Sequence, residues 1–422
     1  MSVYDEANRR IAEEGPDVAA SFLSHTICEF PPDAWRGPFD RYRQMVSPTT
    51  EASDSYHFWC FATVYGATLG RRVGIYHART LYPNMYAVLV GPTGWGRKDT
   101  AEHRALAIWT ELHADDLKAE QPKYEYIPGV GSAEGLIDAL GGEGKTVLVR
   151  ESEFLGLLRK ARQDSVSNLI PQLTALYDCP ELHTLRTRSR PVTCKNLFLS
   201  ILSGTTHKWL KDAISERDIL GGFANRFIFV PNIPKPPLPH PPAIDKGSHD
   251  ALLDELNNIR RWAEAHGGCL EVSREAVDIF ATWYEGFYAW AQGDGLLPAL
   301  AVRFQDYIWK LALLFAVADR SAVIGVEHVS PAISVMEWQK EANRILFADF
   351  SRSGKEQEET ALQLLQQQPG HIMKKRDMYR VLHLTANKLD RLMESLVRVG
   401  MVQETAIGRN GTSSMAYQLV TL

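Results

Sequence analysis

Residues Val88 to His103 read VLVGPTGWGRKDTAEH. Val88–Val90 is a short apolar run of the kind that forms a buried strand. Gly91, Gly94 and Gly96 break it into a turn, and helical periodicity begins after Thr100. Strand, glycine turn and helix in succession form a phosphate-binding arrangement. The glycines let backbone N–H groups face an anion, the helix N-terminus adds its dipole, a lysine reaches the terminal phosphates and a hydroxyl holds magnesium. Lys98 is the candidate lysine, Arg97 a second cation, and Thr100 the candidate magnesium hydroxyl. The usual G-x-x-x-x-G-K-[ST] spacing places the hydroxyl directly after the lysine, whereas here Asp99 intervenes. The alternative is a glycine-rich turn that binds nothing.

Three further stretches bear on that choice. TVLVRESEF is an apolar strand ending in Glu151 and Glu153, which share one face if the chain stays extended. Glu153 is assigned to orienting an attacking water and Glu151 to magnesium, the two roles being exchangeable. SILSGTT ends a second apolar strand in Ser203, Thr205 and Thr206, and a polar residue there, Thr205 first, would sense a γ-phosphate. GGFANRF sets Arg226 in a tight glycine-led turn before a strand. From such a turn an arginine projects into the next subunit's site and stabilises charge in phosphoryl transfer. Each has an ordinary counterpart: exposed carboxylates at a strand end, a Ser/Thr-rich strand end, and a surface arginine in an ion pair.

The remainder of the chain constrains the class of molecule. With 45% apolar and 23% charged residues, the 422-residue chain has the composition of a globular protein large enough for two or three domains. A net charge of −5 leaves any nucleic-acid contact to local patches. Cys28, Cys60, Cys179, Cys194 and Cys269 are scattered, with no C-x-x-C pair, which suggests neither a disulfide framework nor a zinc site. The charged N-terminus is no signal peptide and no apolar run is long enough to span a bilayer, so a cytoplasmic location is expected. EFPPDAWRGPF reads as an extended strap, strands then alternate with helices as in a mostly parallel sheet, and PNIPKPPLPHPPAIDKGSHD is a proline-rich boundary before a largely helical region.

Taken in order, GPTGWGRKDT, VLVRESEF, GGFANRF, YPNMYAVLVG, SAEGLIDAL and LALLFAVAD…VEHVSPAI resemble the AAA+-type helicase-like P-loop ATPases of phages, plasmids and integrated elements, over about residues 30–345. The resemblance implies an α/β P-loop NTPase with a mostly parallel sheet and helices on both faces, an α-helical lid and a small C-terminal winged-helix domain. The expected organisation is an N-terminal strap over 1–50, an ATPase core over 51–240, a lid over 245–350 and a winged helix over 355–422. It implies ATP as substrate, Mg²⁺ held by Thr100 and Glu151, and ATP contacts from Gly91, Gly94, Gly96, Arg97, Lys98, Thr100 and Thr205. Arg303, at the start of an apolar helix, would reach the nucleotide from the lid side. The family also implies a homo-oligomeric ring such as a hexamer, acting on single-stranded or origin DNA; if the chain serves in priming, the primase is a separate protein. Asp99 and Ser152 depart from the family pattern and favour a second possibility, a nucleotide-gated DNA-binding adaptor with little or no hydrolysis.

From Glu356 the pattern is helix, turn at Pro369–Gly370, helix, a capping Thr385, helix, and two strands around IGRNGTSS, which resembles a winged helix. Residues 351–422 hold ten Lys and Arg against seven Asp and Glu, a surplus of three. In the DNA-binding version Asn387, Lys388 and Arg391 face the major groove and Arg409 lies at a phosphate or the minor groove. The alternative use of such a unit is protein–protein contact.

Overall fold

The structure is a computed structural model and describes residues 29–161, 169–186, 191–214, 216–292, 296–347, 360–382, 386–398, 400–409 and 412–420. Its centre is a five-stranded sheet. In chain order the strands are β1 (Tyr86–Val90), β2 (Tyr124–Ile127), β3 (Thr146–Glu151), β4 (Phe198–Thr205) and β5 (Ile228–Pro231), and they lie side by side as β5-β1-β4-β3-β2. Every pairing is parallel. Parallel neighbours need long crossovers, and helices supply them. Lys98–Leu112 (called α2 below) follows β1, Ala133–Leu140 (α3) follows β2, and Phe154–Ala161 (α4) follows β3. A sheet covered on both faces explains why all residues of β1 and all of β4 are buried; β1 reads as an unbroken apolar run, and β4 is apolar but for Ser200 until its polar end at Ser203–Thr205.

Helix α1 (Asp54–Leu69) lies against β1, β4 and β5 and also touches α2. Fifteen of its 16 residues are buried, as expected of a helix without a polar stripe. Ser53 caps its start, its Oγ accepting from Tyr56 N–H, and Gly70 ends it with φ 59°. The segment expected as an extended strap is partly helical: Pro32–Ala34 forms a 3₁₀ turn and Pro38–Val46 an α-helix. The prolines that suggested extension occupy the first helical positions, where the missing N–H costs nothing. Phe30 holds this segment down, its ring centroid 4.8 Å from Phe58 and 4.9 Å from Trp338.

Beyond the proline-rich segment come α5 (Lys246–His266), α6 (Arg274–Ala291), α7 (Phe304–Ala318) and α8 (Val326–Leu346). These helices do not stand apart as a separate lid, because the chain up to Leu346 clusters as one compact unit. The amide of Gln339 on α8 donates to the Phe229 carbonyl at 2.7 Å. Buried Lys310 on α7 donates to the backbone and side-chain oxygens of Asn84, both at 2.8 Å. Burial pushes this amine down to about 8.

Phe347–Leu422 is a second unit. It contains a helix over 360–366, the strand Ile372–Lys374, the helices Lys375–Val381 and Ala386–Arg398, and the strands Val402–Arg409 and Thr412–Leu419. The three strands form an antiparallel sheet with the last strand in the middle. Leu389, Leu392, Met393 and Leu396 bury one stripe of the long helix against Ala361, Leu365, Met378 and Tyr417. Thr385 lies outside the described residues, as do the side chains of Asn387, Lys388, Arg391 and Arg409. Among the described residues, no helix is long and apolar enough to cross a membrane.

One buried group makes the larger unit acid-sensitive. His57 on α1 is fully buried, neither ring nitrogen has a hydrogen-bond partner, and burial drives its pKa from 6.5 to about 3. The folded state holds this imidazole neutral, so its contribution is complete above pH 6.5 and is lost as pH falls toward 3. At pH 5.5 the loss amounts to about 1.4 kcal/mol. His57→Phe is expected to lose correspondingly less stability than the parent between pH 7 and 5.5, as measured by urea unfolding at each pH.

Candidate functional site

The glycine loop leaves β1 at the carboxyl edge of the sheet. Gly91 N–H donates to the Thr205 carbonyl at 3.1 Å, which fixes the loop's root to β4. A side chain at Gly91 would collide with the hydroxyl of Tyr56, which donates to the Val90 carbonyl, and with Asn232. Gly94 takes φ +73°, and a side chain at Gly96 would strike the Pro92 carbonyl oxygen. Each of the three glycines is therefore required by a positive φ or by a close approach.

The extra residue in the motif is absorbed in the backbone. Arg97 adopts a left-handed conformation, φ 50° and ψ 28°, at the N-cap of α2. Lys98 is thereby the first residue of the helix, and its ammonium reaches back to donate to the carbonyls of Gly91 at 2.8 Å and Pro92 at 3.1 Å. Partial burial lowers its pKa, while the carboxylates of Asp99, Glu153 and Glu102 oppose that shift. Arg97 does not join it as a second cation in the loop, because its guanidinium pairs with Glu51 at 2.6 Å, and Glu51 also accepts from Leu238 N–H.

Lys98, Glu153 and Thr205 come together. Thr205 Oγ1 donates to Glu153 at 3.0 Å, Lys98 and Glu153 lie close enough to perturb each other, and a Cβ on Gly204 would sit 3.5 Å from Lys98 Cε. Burial raises the Glu153 pKa, against lowering by Thr205, the Leu155 N–H and Lys98. The expectation that Glu151 and Glu153 share one strand face is corrected: β3 ends at Glu151, the chain bends at Ser152, and Glu153 precedes α4. Glu151 is buried and accepts from Val130 N–H at 3.0 Å, with Lys160 at 3.6 Å. Ser203, paired in register with Glu151, has a buried Oγ with no partner, and Thr206 caps the following helix by accepting from Trp209 N–H.

Asp99 has a partner that the sequence pattern does not reveal. Arg150, the residue before Glu151, donates to Asp99 at 2.6 Å and to Glu102 at 2.7 Å. Glu102 is 1% exposed, and burial raises its pKa to about 7 even with Arg150 beside it. Asp99 is thus held by a cation on the neighbouring strand. Glu102 lies four residues beyond Lys98, one helical turn away, and that i, i+4 spacing is the only signal by which the sequence could have indicated it.

The two other arginines lie elsewhere. Arg226 precedes β5, whose Ile228 pairs with Ala87 near the start of β1, so it sits at the amino edge of the sheet. Five residues of strand, ~16 Å, separate that edge from Gly91. Arg226 donates to the carbonyls of Thr174, at 3.0 Å, and Gly222, and its guanidinium carbon lies 5.8 Å from the Tyr177 ring centroid. Arg303 stands beside it. Arg303 pairs with Asp306 at 2.9 Å, Arg79 pairs with Asp178 at 2.8 Å, and Arg303 helps to depress the Arg226 pKa after burial itself. Tyr307 ties the group together, its hydroxyl donating to the Arg226 carbonyl at 2.7 Å and accepting from Tyr86 N–H at 3.3 Å. Arg303, expected to reach the nucleotide from the lid side, lies at the end of the sheet opposite Lys98.

Removing Arg150 alone would leave buried Glu102 without its charge partner. Arg150→Leu is expected to destabilise the larger unit by about 3 kcal/mol, and Arg150→Leu with Glu102→Leu to recover most of that, as read from urea unfolding midpoints.

No protein-family model matches the chain, and no curated protein matches it in sequence.

Proposed function

We propose that the protein is an ATP-hydrolysing motor that acts on DNA and assembles head to tail as a ring, as in the replication systems of mobile elements. The observation that carries this reading is the convergence of Lys98, Glu153 and Thr205 at the mouth of a glycine loop, on the carboxyl edge of a parallel sheet where the strand order reverses. ATP phosphates would lie along the N–H groups of the loop and the start of α2, with Lys98 exchanging its two carbonyl partners for phosphate oxygens. Glu153, its pKa raised by burial, would take the proton of the attacking water, and Thr205 would hold that carboxylate in place. The Thr100 hydroxyl and the Glu151 carboxylate are oxygen donors of the class magnesium takes, and Glu151 would have to release Val130 to hold it. Bound magnesium would neutralise charge on the phosphates.

Arg226 lies too far from Lys98 to serve its own chain's nucleotide, which supports action on the next copy. Arg303 beside it would serve the same neighbouring site. The second unit, with its helices and three-stranded antiparallel sheet, would serve as a winged helix that binds DNA. The pairing of Asp99 with Arg150 weakens the adaptor alternative, since the carboxylate that seemed to oppose phosphate already carries a cation.

Phosphate release with and without single-stranded DNA tests the scheme. Lys98→Ala is expected to abolish ATP binding. Glu153→Gln is expected to retain binding while losing turnover by about 10²-fold or more. Arg226→Ala should be inactive alone yet regain a fraction of activity when mixed with inactive Lys98→Ala, because each supplies what the other lacks. Full activity in Lys98→Ala would overturn the site, and no recovery in the mixture would overturn action between copies.

A further inference from the structure

Trp95, at the tip of the glycine loop, is 75% exposed, the most exposed of the described tryptophans. It stands between Gly94 and Gly96, with its N–H donating to the Thr93 carbonyl at 2.9 Å, so the loop presents the indole outward on a defined turn. Leaving a tryptophan in water at the tip of a loop forgoes burial of on the order of 150–250 Å² of surface.

At the other end of the same unit is a pocket of ≈ 210 Å³ between the hairpin Val73–Leu81 and helices α6 and α7. Its apolar part is aromatic, with Phe280 and Trp309 4.6 Å apart by ring centroids and His77 5.0 Å from Trp309. Its polar part is Arg79, Gln305 and Asp306. Arg79 and Asp306 belong to the cluster that carries Arg303 and adjoins Arg226. The pocket is thus contiguous with the arginines that, on the reading above, face the next copy's phosphate loop, and Trp95 is three residues from Lys98 in that loop.

We propose that Trp95 of one copy inserts into the His77–Phe280–Trp309 pocket of the next. The proposal rests on Arg226 acting between copies and specifies the anchor that would bring it into place. A chain cannot fill its own pocket, because loop tip and pocket lie at opposite edges of one sheet, so the contact is heterologous and propagates into a closed ring or a filament. The chemistries match: the rings accept the indole edge-on or offset, and Gln305 or Asp306 accepts from its N–H. The surrounding arginines meet a loop that becomes anionic once it holds a nucleoside triphosphate, which makes the docking dependent on nucleotide.

The test uses the full chain with ATP and Mg²⁺. Thr93→Cys in one preparation and Gln305→Cys in another are mixed under mild oxidation, with Cys269→Ser in both because Cys269 is exposed. The expected result is a cross-link between the two chains that forms only with nucleotide and is lost when Trp95→Ala is added to the Thr93→Cys chain. Trp95→Ala alone, and Gln305→Trp to fill the pocket, are each expected to bind a fluorescent ATP analogue with affinity within about twofold of the parent yet to assemble at least ~10-fold more weakly by light scattering. Two results overturn the proposal in distinguishable ways. If the parent assembles and Arg226→Ala complements Lys98→Ala, but no 93–305 cross-link forms and Trp95→Ala assembles normally, Trp95 docking is wrong and the ring stands. If the parent neither assembles with nucleotide nor shows complementation, the ring reading falls and takes the docking with it.

Discussion

The strand register at the carboxyl edge of the sheet is the constraint from which the site follows. Val90 pairs with Thr205 and Glu151 with Ser203. This alternation places Thr205 and Ser203 on one face of β4 and Gly204 on the other. Gly204 faces the lysine directly: a Cβ there would lie in van der Waals contact with Lys98 Cε at 3.5 Å and a Glu102 oxygen at 3.4 Å, which leaves room for little more. A slip of one residue would exchange the faces, setting a side chain against the lysine and turning Thr205 away from Glu153. The buried apolar side chains of β1 and β4, among them Val88, Leu89, Leu199 and Ile201, enforce the register from below, so core packing and site geometry are one problem.

Charge is distributed around this edge with little excess. Arg150 lies between Asp99 and Glu102, Arg97 is held by Glu51, and Lys98 rests on two carbonyl oxygens. Only Lys98 among these cations has neutral partners, so it can exchange them for an anion without breaking an ion pair. The loop is therefore selective about which cation it offers, and the insertion that seemed to spoil the motif is the reason: the left-handed Arg97 points one positive group away and delivers the next inward.

Much of this was legible in the sequence, because the elements concerned are encoded locally. The apolar run of β1, the apolar run of β4 with its Ser/Thr-rich end, and the glycine loop itself are short-range signals, and each lies where the pattern placed it. The failures are long-range. Asp99 looked anomalous because its partner is 51 residues away on another strand. Arg303 was read as facing the nucleotide because chain spacing says nothing about which edge of the sheet a helix start will reach. The bend at Ser152 broke an extrapolation that held only while the backbone stayed extended, and the prolines before residue 40 mark helix starts as readily as extended chain.

Tyr307 gives the shortest connection between the two edges. Its hydroxyl engages the backbone at the first residue of β1 and the carbonyl of Arg226, while the last residue of β1 opens directly into the loop that positions Lys98. β1 is hydrogen-bonded on both sides, to β4 and to β5, and so forms a continuous strut between the arginine and the loop. In a head-to-tail ring, that strut would relay the state of one interface to the next in a single rotational sense.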